Sequence, residues 1–184
     1  MSDGPVNIGT SVLACKYVDA AGKPAVMIAC DTACSYGGSR RFKDYQRMAS
    51  LGHEGVFACS GEMADFEEMK RLFDEKYEAD QIENDGATFL HPKDYFNWMA
   101  RHQFQKRMKS DPLYVTMVVA GINAKTGELT LAQSDHLGTK LTGDWLATGL
   151  GHHYLGAIFS TVWREGMSEQ EAKDMLETGL KVMF

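Results

Sequence analysis

The chain has 184 residues, 44% hydrophobic, 24% charged and 10% aromatic, which suits one domain of ~100–200 residues whose core needs neither disulfides nor a metal. Lys plus Arg number 19 against 25 Asp plus Glu, and the net charge of −6 argues against sequence-independent nucleic-acid binding, which requires a basic surface. No apolar run approaches the ~18–20 residues of a membrane helix, and the opening MSDGPVNIGT lacks the basic start and apolar core of a signal peptide.

In chain order, residues 12–17 and 25–30 are mostly apolar runs with the pattern of strands buried on two faces. Gly22 and Pro24 lie between them and predict a hairpin. Residues 56–60 form a further strand that ends at Gly61. The period then becomes helical. Phe66, Met69, Phe73 and Tyr77 recur at spacings of three and four, with Glu67, Glu68, Lys70 and Arg71 between them. That is an amphipathic helix, and the polar stretch 80–86 is expected to break it. A second helix begins at Pro92, carries Tyr95, Trp98, Met99 and Met108, and ends at Ser110-Asp111-Pro112. Residues 114–122 and 129–133 pair across a turn at 123–127. Past Gly149 and Gly151 a helix runs from about residue 152 to 164, and Ser168-x-x-Glu171 has the form of a capping box opening a last helix.

Strands, two helices, strands, two helices: this order is that of an α+β domain with sheets between helical layers. It does not alternate as a Rossmann domain does, and no glycine-rich phosphate motif is present. No internal repeat or low-complexity segment divides the chain. Cys15, Cys30, Cys34 and Cys59 read as buried thiols rather than two disulfides. No His stands at zinc-finger spacing from them. The neighbours His152 and His153 would point about 100° apart on a helix, so no metal and no cofactor are expected.

Four short motifs then occur in a specific order: GTSVLACKY at 9–17, AVMIACD at 25–31, SYGGSRRF at 35–42 and ACSGEMADF at 58–66. With Ala147-Thr148-Gly149 further on, they resemble a proteasome beta-type subunit over nearly the whole chain. Ser35-Tyr36-Gly37, Arg41-Phe42, Ser60-Gly61 and Ala64-Asp65-Phe66 are most similar to the seventh beta type, a non-catalytic branch. The resemblance implies a four-layer α-β-β-α sandwich of the N-terminal-nucleophile hydrolase type. In active relatives the bond between Gly and Thr is cut. The exposed Thr then attacks with its hydroxyl while its own α-amine, titrating near ~8, serves as base.

Carried over position by position, Thr10 matches the nucleophile, Asp31 the supporting carboxylate and Gly61 the backbone N–H of the oxyanion hole. The catalytic Lys falls on Arg47, and a planar, bulky guanidinium cannot serve as a tunable ammonium. The serine of the family's Gly-Ser-Gly segment falls on Leu150, which has no hydroxyl. Unless nine residues are removed, the nitrogen of Thr10 is an amide and not a base. No catalysis by this chain is therefore expected. The alternative is an active threonine peptidase processed at Gly9-Thr10, with Lys43 reaching the site. Plainer roles stay open. Thr10 reads equally as a strand-entry residue, Asp31 as a turn cap, Gly61 as an unusual backbone angle, and Arg40, Arg41 and Arg47 as a solvated face or, preferably, an ion-pair cluster at a subunit contact.

The resemblance further implies a prosegment or short extension over residues 1–9 and a beta-type domain over 10–184. That domain would end at Phe184 without the family's C-terminal strands and tail. The implied partners are other beta subunits of a heptameric ring, alpha-ring subunits and the opposite beta ring, with no nucleic acid and no membrane. The implied setting is ATP- and ubiquitin-dependent degradation in the cytoplasm and nucleus. A free-standing binding domain built on the Cys and His residues is the reading from a different class.

Overall fold

The computed structural model describes residues 11–36, 39–84 and 90–183. Thr10 lies outside the described residues, as do the side chains of Arg40 and Arg41.

β1 (Val12–Val18) and β2 (Pro24–Cys30) form the expected hairpin. Its turn closes on Asp19, whose Oδ1 accepts from the N–H groups of Ala21 at 2.9 Å and Lys23 at 2.8 Å. Two strands follow that the sequence pattern did not reveal, β3 (Cys34–Tyr36) and β4 (Ser39–Phe42), which pair with each other. β5 (Met48–Leu51) and β6 (Gly55–Gly61) then lead into α1 (Met63–Glu83) and α2 (Pro92–Met108). Next come β7 (Val115–Ile122), β8 (Leu129–Ser134), β9 (Lys140–Thr142) and β10 (Trp145–Ala147). The chain finishes with α3 (Leu150–Val162) and α4 (Glu169–Met183).

The strands assemble into an antiparallel sheet of order β10-β1-β2 and another of order β5-β6-β7-β8-β9. Side chains of period two decide which layer each residue joins. Along β1, Val12 and Ala14 enter the core between the sheets, whereas Leu13 and Cys15 face α3 and α4 beside Leu155, Phe159, Met175 and Leu176. Along β7, Val118 and Ala120 face inward, while Met117 and Val119 meet Phe66, Phe73, Tyr95 and Met99 of α1 and α2. Three stacked cores therefore bind four layers in the order α-β-β-α. The α+β layered architecture expected from the resemblance is the one observed.

Three details differ from the sequence-based expectations. β2 is not buried on two faces: its residues are half-buried from Ala25 onward, because it is the outer strand of its sheet among the described residues. Pro24 takes the first position, where a missing N–H is tolerated. α1 does end within the polar stretch 80–86, but at Glu83 and not at its first residue. Asp80 is only 5% exposed: its Oδ1 accepts from Asn84 Nδ2 at 2.9 Å, and its Oδ2 accepts from the Leu90 N–H at 2.9 Å. The first residue of that stretch is thus a tie between the end of α1 and the approach to α2. α3 starts at Leu150, two residues earlier than its periodicity suggested.

Candidate functional site

One end of the sandwich gathers the start of β1, the end of β2, the end of β6 and the start of α3. The register places Val12 opposite Cys30, so Ser11 and Asp31 leave adjacent strands side by side. Two long-range hydrogen bonds fix the entry to β1 against the helix. The Val12 N–H donates to Thr148 Oγ1 at 2.9 Å, and the Gly151 N–H donates to Ser11 Oγ at 3.0 Å. A side chain at Gly151 would press on Ser11, since a Cβ there would lie 3.0 Å from Oγ. Gly149 makes the turn into α3 at φ 58, in the left-handed region that glycine adopts without strain.

Asp31 and Arg47 come together across this end, with Arg47 Nη2 3.9 Å from Asp31 Oδ2 and side-chain exposures of 3% and 12%. The carboxylate also accepts from the Ala33 N–H at 3.1 Å, closing a turn just after β2. Arg47 Nη2 donates to the Ala33 carbonyl, and the Arg47 carbonyl accepts from the Cys59 N–H at 3.1 Å. The guanidinium is thereby anchored between the β2 exit and β6. Among the described residues, Asp31 Oδ1 and Arg47 Nε and Nη1 have no hydrogen-bond partner. The next residue back, Cys30, has its thiol pKa raised, first by burial and then by the Asp31 charge, with Arg47 acting in opposition.

Gly61 closes β6 at φ 128, and a Cβ at that position would overlap the Tyr114 carbonyl oxygen. The backbone here is pinned from both directions. The Glu62 N–H donates to the Tyr114 carbonyl at 3.0 Å, and the Tyr114 N–H donates to Asp65 Oδ2 at 2.7 Å. Burial raises the Asp65 pKa, and that hydrogen bond acts against the shift. Leu150, the first residue of α3, is 41% exposed and presents an apolar side chain at the same end. Lys43 is exposed in the bend after β4. Its carbonyl accepts from Thr32 Oγ1 at 3.0 Å.

Of the carried-over positions, Asp31 and Arg47 are thus in contact, while Gly61 and Leu150 lie at the ends of elements converging on them. Ser11, Thr148 and the Ala33 carbonyl were missed by sequence reasoning. Ala147-Thr148-Gly149 did mark the right segment, but nothing in it signals a hydrogen bond to β1 from 136 residues away. The four cysteines are free thiols, with Cys15 and Cys59 buried and Cys30 and Cys34 half-buried. Burial pushes the Cys15 thiol up to about 12 and that of Cys59 higher still. Among the described residues no helix is long and apolar enough to cross a membrane.

The family model described as Proteasome subunit matches residues 6–184. The chain belongs to the proteasome subunit family. It is similar to proteasome subunit beta type-4 of Arabidopsis thaliana, with 32% identity covering 98% of this chain and 70% of the relative. It is also similar to proteasome subunit beta type-4 of Xenopus laevis, at 29% identity over 98% of this chain and 72% of that protein. A probable proteasome subunit beta type-7 of Schizosaccharomyces pombe is 28% identical over 98% of this chain and 68% of its own length.

Proposed function

We propose that this chain is a non-catalytic beta subunit of the 20S proteasome core, giving shape and contact area to a ring whose other members cut peptide bonds. The observation that carries this reading is Arg47. Its side chain is 3% exposed, beside Asp31 and bonded to the Ala33 carbonyl, at the position where active relatives hold a lysine. A group that assists a threonine hydroxyl must exchange or share a proton near neutral pH, and a guanidinium is not a side chain that does so. Leu150 supports the same conclusion, since it brings a hydrocarbon surface to the place of a hydroxyl. The beta-type names of the relatives support the choice of class.

On this reading Thr10, Asp31 and Gly61 are retained as structure and not as a catalytic set. Residues 10–184 are the beta-type domain, and 1–9 are its N-terminal extension. The partners are other beta subunits of a seven-membered ring, an alpha ring and the opposite beta ring. The assembled complex serves ATP- and ubiquitin-dependent degradation in the cytoplasm and nucleus.

The test is the N-terminus in the purified complex. Intact mass is expected to show residues N-terminal to Thr10 still attached, and an epoxyketone probe, which needs the hydroxyl and the free amine of one threonine, should leave the subunit unlabelled. A chain that begins at Thr10 and takes up the probe would overturn the proposal and restore the active-peptidase alternative.

A further inference from the structure

Among the described residues β10 is the outer strand of the smaller sheet and β9 an outer strand of the larger one. Only Gly143 and Asp144 separate them in the chain. A cleft of about 420 Å3 opens along this double edge, lined by residues 141–147, by Gln133 of β8 and by α3. His152, Ser160 and Trp163 are its α3 residues, and their spacings of eight and three put them on one face of the helix. Gly156 lies between them, four residues from both His152 and Ser160. A Cβ at Gly156 would meet only Trp145 Cη2, at 4.0 Å, so this glycine leaves open space over the end of the Trp145 ring.

The lining is rich in hydrogen-bond acceptors and in aromatic surface, and it contains neither Lys nor Arg among the described residues. The Asp144 side chain is 53% exposed, and its Oδ1 accepts from Lys16 Nζ at 2.9 Å. Its Oδ2 has no hydrogen bond among the described residues. Because a carboxylate offers about four lone-pair sites, a second cation fits beside Lys16. Gln133 Oε1 is a further acceptor, buried with no hydrogen-bond partner. Ser160 Oγ donates its proton to the Gly156 carbonyl at 2.7 Å, which leaves its lone pairs free to accept. Trp163 Nε1 donates to the Lys16 carbonyl at 3.0 Å, so that donor is used within the fold while the ring remains as a π surface. α3 ends at this cleft with no basic residue in its last turn, and the negative end of its dipole favours a cation.

These features select one kind of ligand. An aliphatic ammonium has three N–H donors and no acceptor, gains from indole rings, and carries an apolar stem that matches Leu141 and Trp145. A carboxylate or phosphate of the same size would meet lone pairs and no lining Lys or Arg.

We propose that the cleft between β10 and α3 is a binding site for an aliphatic ammonium ion, with Asp144 and Ser160 accepting its N–H groups and Trp145 and Trp163 flanking its stem. The site shares no residue with the end where Asp31 and Arg47 meet, and it stands independently of the subunit reading. It is tested by photolabelling the whole chain with a diazirine derivative of butylammonium and mapping the label by peptide mass. Label is expected within 141–147 and 152–163, and butylammonium should compete about tenfold better than butyrate or butanol. This comparison reads the site on the native chain without any substitution. Asp144→Asn should weaken labelling about tenfold. Gly156→Leu, which fills the space over Trp145 and improves helix propensity, should abolish it. Glu128→Gln, which removes an equally exposed carboxylate paired with Lys93, should label like the native chain. Spermidine and Nα-acetyl-lysine methylamide carry the same head group. Stronger competition by spermidine assigns the site to free polyamines, stronger competition by the lysine derivative assigns it to a protein side chain, and both results support it. Label confined to other residues, equal competition by butyrate, or full labelling of the Asp144→Asn and Gly156→Leu chains would overturn the proposal.

Discussion

An arginine at position 47 in place of the lysine proposed for active relatives keeps the charge and changes the geometry. A single nitrogen of the planar guanidinium, Nη2, meets both the Ala33 carbonyl and the Asp31 carboxylate, from a longer and flatter head group than a lysine ammonium. Removing it leaves Asp31, 12% exposed, without its ion-pair partner among the described residues. Arg47→Met is expected to destabilise the protein by about 3 kcal/mol, the usual consequence of stranding one member of a buried pair. Adding Asp31→Asn should recover part of that loss, and urea unfolding of both variants measures the difference. Full additivity of the two changes would show that the pair is not coupled. The identities of Asp31 and Arg47 were legible in the sequence through their spacing of sixteen residues and the motifs around them. Their burial was not, nor was the Ala33 carbonyl, because a backbone acceptor carries no signature in a side-chain alphabet.

α4 shows how an element can be read at one end and missed at the other. The Ser168-x-x-Glu171 pattern predicted a capping box. Glu171 Oε2 accepts from the Ser168 N–H at 3.0 Å and from Ser168 Oγ at 2.9 Å. Ser168→Ala is expected to cost about 1 kcal/mol, read as a lower unfolding midpoint. The Ser168 backbone and hydroxyl, then Arg164, hold the Glu171 pKa below its ordinary value of 4.5. A depressed carboxyl stabilises the fold above that ordinary value, and the contribution is lost as pH falls through the folded-state value. Glu171→Gln should flatten the acid limb of the stability profile by that component, and an unchanged limb would count against the box. Gly179 gave no comparable signal. A Cβ there would lie 2.8 Å from Leu13 Cδ1 and 2.9 Å from Phe159 Cζ. Gly179→Ala gains up to ~1 kcal/mol of helix propensity but overfills the core by ~1–3 kcal/mol. The expected net effect is destabilisation, and a higher thermal midpoint would refute the close approach of α4 to β1.

The whole molecule is held by three cores stacked through two sheets, and its thiols report on the outer two. Cys15 lies in the core under α3 and α4, and Cys59 lies in the core under α1 and α2. With both thiols buried and shifted upward, neither should alkylate in the native protein at neutral pH. If the sandwich unfolds as one unit, both become reactive at the same urea concentration, as mass-resolved alkylation can follow. Separate midpoints would mean that the sheets do not couple the two helical layers.

The sequence by itself determined the order of the four helices and of the five longest strands, and the family resemblance with the departures it implies at Arg47 and Leu150, since periodicity and residue type are local properties that survive in one dimension. Only the tertiary structure decided that β2 is an outer strand, that Asp80 joins two helices, and that Ser11 and Thr148 clasp β1 to α3. Each of these depends on groups far apart in the chain meeting at hydrogen-bond distance, and no local pattern encodes that meeting.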